Sequence, residues 1–461
     1  SEVSHVSTSV DRDSSNTVIS VQGMSPTNHG EGPSTLTTTP TGDFDWLYAS
    51  WLCDEVDLAG YESMSDVEME LGPNDESSNS QHSTVSLPDI LKKLSSAINL
   101  DSISKFNISR SHVWEGTVRA LTRKSFSPHN KVSVKFCDDV GTSEGAIDLG
   151  GPKREFFTLV LDWLMHSQLF CGSDSSKYFS CNATSQGNND CFHAGEIVAM
   201  SLVHGGPGFG CLSPSLYQCI VEGPNNVLVN ASDVYDVELR SSLEKLLNAK
   251  STDEANTMID RPLLSTLLDL AGTFKFVSSL DEIPTLVQQT VKWFLLGRSH
   301  FSQEQFVQGL SVLGIYDSIL KNPESFRPVF CCSPQQLNAE VISHLFETNF
   351  SEVGSNRHCS ESLVISHWND YLLDVEERAE TEVTFNDILF FASGCKIIPP
   401  FGIKLSLEFL HHAEKNGEMS KFPKANTCAC ILYLPVTHSS YDKFKEALSF
   451  AFLNTRGFGE P

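Results

Sequence analysis

The alternation of apolar and polar positions divides the chain into a first part without pattern and a longer patterned part. Across residues 1–100 no helical or strand period persists. Beyond that point, apolar residues recur at helical spacing in many short segments. Helices are predicted at residues 153–169, 196–202, 214–220, 237–247, 261–270, 283–294, 303–313 and 336–346. Residues 132–136 alternate as a strand does.

The last quarter of the chain alternates helices with strands. Thr384 and Asp387 form a predicted capping box before a short helix, which Gly394 ends. Residues 405–409 alternate and predict a strand, whereas residues 429–434 are apolar on both faces and predict a central strand. A final helix with one apolar stripe follows.

Composition separates the patternless part further. The first 100 residues hold 28 Ser and Thr, 16 acids and only 3 bases, so half of the formal net charge of −26 lies there. We expect a disordered, acidic, Ser/Thr-rich tail at residues 1–104. The overall negative charge argues against nucleic acid and anionic membranes as partners. No apolar run approaches the roughly 18 residues of a membrane span.

The thirteen cysteines indicate a reducing compartment. Their number is odd and their spacing irregular, which is atypical of a disulfide scaffold, and we expect a cytoplasmic or nuclear protein. Cys171, Cys181, Cys191 and His193 could suggest zinc, but their spacings differ from those of tetrahedral sites, and residues 171–191 are expected to form a polar loop. We therefore expect neither a metal nor a cofactor.

The segment 421–435 contains the most informative cysteine. A polar turn with Pro423 and Asn426 brings Cys428 to the mouth of the predicted central strand. An exposed thiol on a rigid backbone is what a nucleophile requires. A buried core thiol is the alternative, and the local pattern alone favours it.

Residues 145–156, 391–402, 421–435 and 451–459 carry four motifs that together resemble those of HECT-type ubiquitin ligases. Pro423, Thr427 and Cys428 match the active-site loop of that family, in which Cys428 would be the thioester-forming residue. The family's early glycine-rich motif is matched by Gly145, Asp148, Gly150, Gly151, Arg154, Glu155 and Phe156. Residues 391–402 and 451–459 resemble two later motifs. The amino-acid sequences of these motifs are most similar to those of the G2/M-phase-specific subgroup.

The resemblance covers residues 105–461 and implies an α+β, bilobal HECT-like module. It implies a mostly helical N-lobe at 105–335, an α/β C-lobe at 336–461 and a hinge near 330–334. The implied activity is a ubiquitin-protein transferase. Cys428 accepts ubiquitin from a conjugating enzyme as a thioester and passes it to a lysine of a protein substrate.

Three further residues are assigned supporting roles. Asn426 and Thr427 would supply hydrogen-bond donors to a developing oxyanion, and turn formation is an alternative compatible with that role. Phe458 stands fourth from the end, where the resemblance implies a functionally needed Phe; simple C-lobe packing is its alternative. Gly151 and Arg154 are expected to be structural, with Arg154 bonding the interior of its own lobe.

One stretch departs from the family. The docking subdomain for the conjugating enzyme would fall at residues 221–301. The pattern there predicts a helical and shortened segment, so we expect weak or narrow use of conjugating enzymes. Candidate anchors are Phe274, Phe276, Val277, Trp293 and Phe294, of which the last two fit a core helix better.

An alternative function is a catalytically weak HECT-like module that binds ubiquitin or substrates. Retention of Cys428 and Phe458 favours the enzyme, and an unrelated cysteine hydrolase would need a base that no pattern supplies.

Overall fold

The computed structural model describes residues 86–137, 150–331, 337–378, 382–411 and 419–454. Most of the predicted tail, most of the predicted hinge, Gly145, Asp148 and Phe458 lie outside the described residues.

The first part of the described chain is mostly helical. Its helices are α1 (Leu87–Ser95), α2 (Val113–Leu121), α3 (Gly151–His166), α4 (Ala183–Gly187), α5 (Asp190–Val203), α6 (Pro214–Glu222), α7 (Val237–Leu247), α8 (Thr252–Ile259), α9 (Pro262–Leu270), α10 (Ile283–Leu295), α11 (His300–Ser311), α12 (Ile315–Lys321) and α13 (Pro323–Phe330). Strands β1 (Asn99–Ser109) and β2 (Asn130–Cys137) pair in parallel, and β3 (Phe170–Ser173) and β4 (Ser176–Phe179) form an antiparallel hairpin.

Regular structure is present before the expected boundary at residue 104. Helix α1 starts at Leu87, where the Ser86 side chain accepts a hydrogen bond from the Asp89 amide and Pro88 occupies the first turn. Leu91 is completely buried in the hydrophobic core. The predicted start of ordered structure lies too late in the chain. The serine-rich composition of this stretch concealed a helix cap at Ser86 and the apolar helix face that follows it.

A tight helix pair organises this part of the molecule. An added Cβ at Gly195 of α5 would lie 2.1 Å from the carbonyl oxygen of Phe306 on α11, and one at Gly309 would lie 2.1 Å from that of Phe192. The two backbones are therefore in direct contact, and both glycines are needed for that approach. Around this pair lies a hydrophobic core that includes Phe156, Phe157 and Phe306.

The later part of the chain builds a second hydrophobic core around a sheet. Its elements are α14 (Ala339–Leu345), β5 (Phe346–Thr348), α15 (Asn356–Glu377), α16 (Phe385–Ser393), β6 (Leu405–Leu410), β7 (Lys424–Asn426), β8 (Ile431–Pro435) and α17 (Tyr441–Asn454). The strand order is β5-β6-β8-β7, with β7 antiparallel and the others parallel. Since β8 is paired on both sides, the predicted central strand is confirmed.

One expectation about local structure is corrected. The region 171–191 is not a polar loop, because it contains the β3–β4 hairpin, α4 and the start of α5. Among the described residues, no group of three or more His, Cys, Asp or Glu side chains is placed to hold a metal ion. No described helix is both long and apolar enough to cross a membrane.

Candidate active site

A β-hairpin presents Cys428. Strands β7 and β8 pair up to Asn426 and Ile431, which leaves residues 427–430 as a four-residue loop. The Asn426 side-chain oxygen accepts a hydrogen bond from the Ala429 amide at 3.2 Å and so closes the loop. The thiol of Cys428 is half-buried. The loop therefore offers a partly accessible sulfur on a backbone that is fixed at both ends.

Cys430 lies in this loop and not in the strand where the sequence placed it. Its φ of 57° is in the left-handed region, which is uncommon for a residue other than glycine. The side chain is half-buried, and burial raises the pKa of the Cys430 thiol, although the Arg154 guanidinium acts in the opposite direction. In the left-handed turn the Cys430 sulfur lies 3.2 Å from Nη2 of Arg154, while the side chain still packs against the edge of the second hydrophobic core.

The N-terminal end of α3 packs directly against the loop. A Cβ added to Gly151 would lie 2.4 Å from Oγ1 of Thr427 and 3.1 Å from both the amide nitrogen and Sγ of Cys428. Distances of this kind leave no room for a side chain at Gly151. Residues about 275 positions apart in sequence are thus in van der Waals contact at the candidate nucleophile.

Arg154 adds hydrogen bonds to this contact. Its Nε donates to the carbonyl oxygen of Ser393 at 2.9 Å, and its Nη2 donates to the carbonyl oxygen of Thr427. The same Nη2 lies 3.2 Å from Sγ of Cys430. The expectation that Arg154 bonds the interior of its own lobe is wrong, because its partners belong to α16 and the Cys428 loop.

Further along α3, two more contacts tie it to the turn after α16. Oγ1 of Thr158 donates to the carbonyl oxygen of Gly394 at 2.8 Å, and Lys396 forms an ion pair with Asp162 at 3.2 Å. Gly394 has a φ of 82° and ends α16. One face of α3 thus contacts both the segment after α16 and the loop that carries Cys428.

Glu155 and Phe156, which follow Arg154, anchor α3 to the first hydrophobic core. Glu155 is buried and forms an ion pair with Arg110 at 2.6 Å, while the Arg110 guanidinium lies 4.1 Å from the centre of the Phe136 ring. Phe156 is fully buried against Phe106. The Arg-Glu-Phe triplet therefore joins the first hydrophobic core to the Cys428 loop.

A comparison with protein families identifies the family of the chain. A family model described as "HECT-domain (ubiquitin-transferase)" matches residues 159–460. The chain belongs to the HECT family. The α+β fold class predicted from the sequence is confirmed for this HECT chain, and so is its resemblance to the G2/M-phase-specific subgroup, as the relatives show.

Curated relatives of the HECT chain carry the corresponding names. The "G2/M phase-specific E3 ubiquitin-protein ligase" of Homo sapiens is 31% identical over 353 residues, which are 76% of this chain and 46% of that protein. The protein of the same name from Gallus gallus is 31% identical over 370 residues, 79% of this chain and 47% of that protein. The "Probable E3 ubiquitin-protein ligase HECTD2" of Mus musculus is 23% identical over 382 residues. The chain spans about half the length of these relatives.

Within the HECT chain, the structure brings three of the four predicted site residues together. Asn426, Thr427 and Cys428 are consecutive in the hairpin, where Thr427 is buried and Asn426 is exposed. Phe458 lies outside the described residues. Sequence reasoning missed Gly151 and Arg154 as contacts of the loop, because no local pattern reveals a partner more than 230 residues away.

Proposed function

We propose that this chain is a HECT-type ubiquitin-protein transferase in which Cys428 carries ubiquitin. It would accept ubiquitin from a conjugating enzyme as a thioester and pass it to a lysine of a protein substrate. The observation that supports this most directly is the half-buried thiol of Cys428 in a hairpin loop held by Asn426 and Arg154. Membership of the HECT family supplies the reaction class.

Other thiols of the chain are less suited to the role. Burial raises the pKa of Cys191, Cys219 and Cys395 to about 12 in each case, which disfavours the thiolate that such chemistry requires. Cys181 and Cys359 are exposed, but Cys181 lies just before α4 and Cys359 lies near the start of α15, and neither is in the loop between β7 and β8. Cys428 combines access with a fixed backbone.

The proposed reaction consists of two acyl transfers. The Cys428 thiolate attacks the carbonyl carbon of the thioester between ubiquitin and the conjugating enzyme, and the enzyme leaves as its thiolate. A substrate amine, after losing a proton to solvent, then attacks the carbonyl carbon held by Cys428. The nitrogen in the tetrahedral intermediate loses a second proton to solvent, the C–S bond breaks, the isopeptide bond remains and Cys428 leaves as a thiolate.

Supporting roles for the neighbouring residues remain part of the proposal. Thr427 and Asn426 would help to stabilise the oxyanion that forms at each attack, in addition to shaping the loop. The amide of Asn426 is exposed beside Cys428, which is consistent with this assignment. Phe458 would anchor the C-terminal segment during transfer to lysine.

A surface for the conjugating enzyme is proposed near the segment between α9 and α10. Phe274 and Phe276 are 42% and 55% exposed and contact each other edge to face. Asn256 supports them by bonding both the amide and the carbonyl of Val277. Val277 itself is buried, so its assignment as an exposed anchor is wrong, whereas burial of Phe294 agrees with its core assignment. Exposed aromatic anchors on a supported backbone are typical of docking surfaces.

We further propose that the protein works in a reducing compartment, cytoplasmic or nuclear. A ligase that depends on a reactive thiol needs surroundings that keep the thiol reduced. The described cysteines, which form no disulfide with one another, are consistent with such surroundings.

A loading experiment tests the proposal. The chain is incubated with activating enzyme, a panel of conjugating enzymes and ubiquitin, and the adduct is examined with and without a thiol reductant. We expect a reducible adduct that Cys428→Ala abolishes. Cys359→Ala is the matched control, since Cys359 is exposed on α15 of the same core and should leave loading unchanged. Equal loading of the Cys428→Ala variant would refute the assignment, and absence of loading across the panel would favour the binding-module alternative.

A further inference from the structure

We propose that Gly151 and Arg154 form a loop-binding face at the N-terminal end of α3. In this proposal the Cys428 loop rests on that face while ubiquitin passes from Cys428 to the acceptor amine. Both residues are positioning residues: they hold the loop and do not react themselves. The inference rests on the proposed function, since it assigns a structural arrangement to its second step.

Gly151 is restricted by the Cys428 loop and not by its own backbone. The φ of Gly151 lies outside the left-handed region, so the helix backbone there would accept alanine. What excludes a side chain is the loop, because a Cβ would lie 2.4 Å from Thr427 Oγ1 and 3.1 Å from Cys428 nitrogen and sulfur. Absence of a side chain at this position is therefore needed for contact with the loop and not for the helix.

Arg154 holds the loop through hydrogen bonds. Its guanidinium lies between two separate segments and bonds the Ser393 carbonyl on one and the Thr427 carbonyl on the other. The planar fork of an arginine can serve several acceptors at once, which a lysine ammonium does less well. Because Thr427 directly precedes Cys428, the Arg154 bond fixes the position of the nucleophile relative to α3.

Two features connect this arrangement with the second transfer. Gly151 occludes one side of the Cys428 sulfur, which hinders approach by a whole conjugating enzyme more than approach by one lysine side chain. The positive end of the α3 dipole and the Arg154 charge also lie beside Cys428. Because the loop would rest on α3 only during the second transfer, these charges would favour the oxyanion that forms when the amine nitrogen attacks and before the C–S bond to Cys428 breaks.

The first test measures access to Cys428 and needs no ubiquitin. Gly151→Ala and Arg154→Gln are alkylated with iodoacetamide at about pH 10, above the ordinary pKa of a thiol, so that access and not ionisation limits the rate. Gly187→Ala is the matched control, since Gly187 also lies in a helix but has open space around it. We expect alkylation of Cys428, read by peptide mass spectrometry, to become several-fold faster in both variants and to stay unchanged in the control.

The second test separates the two transfers. In single-turnover experiments, discharge of the Cys428 thioester to free lysine should slow by about tenfold in both variants, and loading by clearly less. The double variant should be no worse than either single variant, because both changes disrupt one contact. Unchanged alkylation, or equal losses in loading and discharge together with a lowered melting temperature, would overturn the inference. If the unmodified chain forms no thioester, the proposed function fails, and the alkylation rates still decide whether the loop-binding face exists.

Discussion

The guanidinium of Arg154 donates a hydrogen bond to the main-chain carbonyl of Thr427, a residue 273 positions further along the chain. The same helix brings Gly151 against the sulfur of Cys428, the residue after Thr427. The glycine-rich segment at the start of α3 and the loop around Cys428 are therefore one structural unit. A substitution in either segment should therefore alter the surroundings of the Cys428 sulfur.

The exposed pair of aromatic residues before α10 gives a first prediction. Phe274→Ala and Phe276→Ala should each reduce loading of Cys428 by about tenfold, since truncating an anchor of a docking surface typically costs more than 1 kcal/mol of binding. The melting temperature should change little because both rings are half exposed. Loading rates with the preferred conjugating enzyme measure the effect.

Leu363→Ala is the control for this prediction. Leu363 is 48% exposed on α15 of the second core, so the variant removes a comparable apolar side chain elsewhere. Rapid loading by many conjugating enzymes, unaffected by either phenylalanine variant, would show that docking uses another surface.

Helix α1 gives a second prediction, about stability. Leu91→Ala should lower the free energy of unfolding by about 3 kcal/mol, because it empties a fully buried position. Leu100→Ala, at a 73% exposed position, should change it by less than about 0.5 kcal/mol. Removal of residues 1–85, which are too polar and acidic to supply a core, should leave both stability and loading unchanged. Chemical unfolding of the three variants measures these changes in the free energy of unfolding. A Leu91→Ala variant that is as stable as the parent would contradict the core assignment.

Local signals in the sequence predicted local structure well. Thr384 and Asp387 form the expected capping box, and helix α7 has the predicted bounds. Each of these depends on residues within one or two turns, whose preferences are visible in the sequence. The strand β8 was also found, because a continuous apolar run indicates burial on both faces.

Long-range contacts could not be predicted in the same way. An arginine such as Arg154 has many possible partners, and only the packing of α3 against α16 selects the carbonyls of Ser393 and Thr427. The left-handed backbone of Cys430 was missed because its neighbours suggested a continuous strand. Family resemblance identified Cys428, whereas the residues that position it required the structure.

A buried carboxylate in the second core gives a third prediction, about pH. Burial of Glu361 alone would raise the pKa of its carboxyl, but hydrogen bonds from Ser351 and His411 outweigh burial and hold that pKa below its ordinary value. The ionised form therefore stabilises the fold above the ordinary carboxyl pKa, and this contribution is lost as the pH falls through the lowered pKa.

Glu361→Gln should accordingly lower the free energy of unfolding by about 2 kcal/mol at neutral pH, and the difference should narrow below about pH 4. Glu352→Gln, at an exposed position nearby, should change the free energy of unfolding by less than about 0.5 kcal/mol. Unfolding by urea at both pH values measures the difference. A gap between Glu361→Gln and the parent that stays constant with pH would contradict the assignment.

Phe458 gives a fourth prediction, which depends on the family resemblance. Phe458→Ala should slow discharge to lysine by about tenfold and slow loading less, because the ring is proposed to anchor the C-terminal segment only during the second transfer. Single-turnover rates of the two steps provide the comparison. Equal losses in both steps, with reduced thermal stability, would indicate simple packing instead.

The most direct test of the central claim exchanges the sulfur of Cys428 for oxygen. Cys428→Ser should yield at most a ubiquitin adduct that resists thiol reductants, since an oxygen ester replaces the thioester and a serine hydroxyl is a weak nucleophile without an adjacent base. The unmodified chain should yield an adduct that reductant removes, with ubiquitin mapped to Cys428 by mass spectrometry. A reducible adduct that persists in the Cys428→Ser variant would contradict the assignment of Cys428 as the residue that carries ubiquitin.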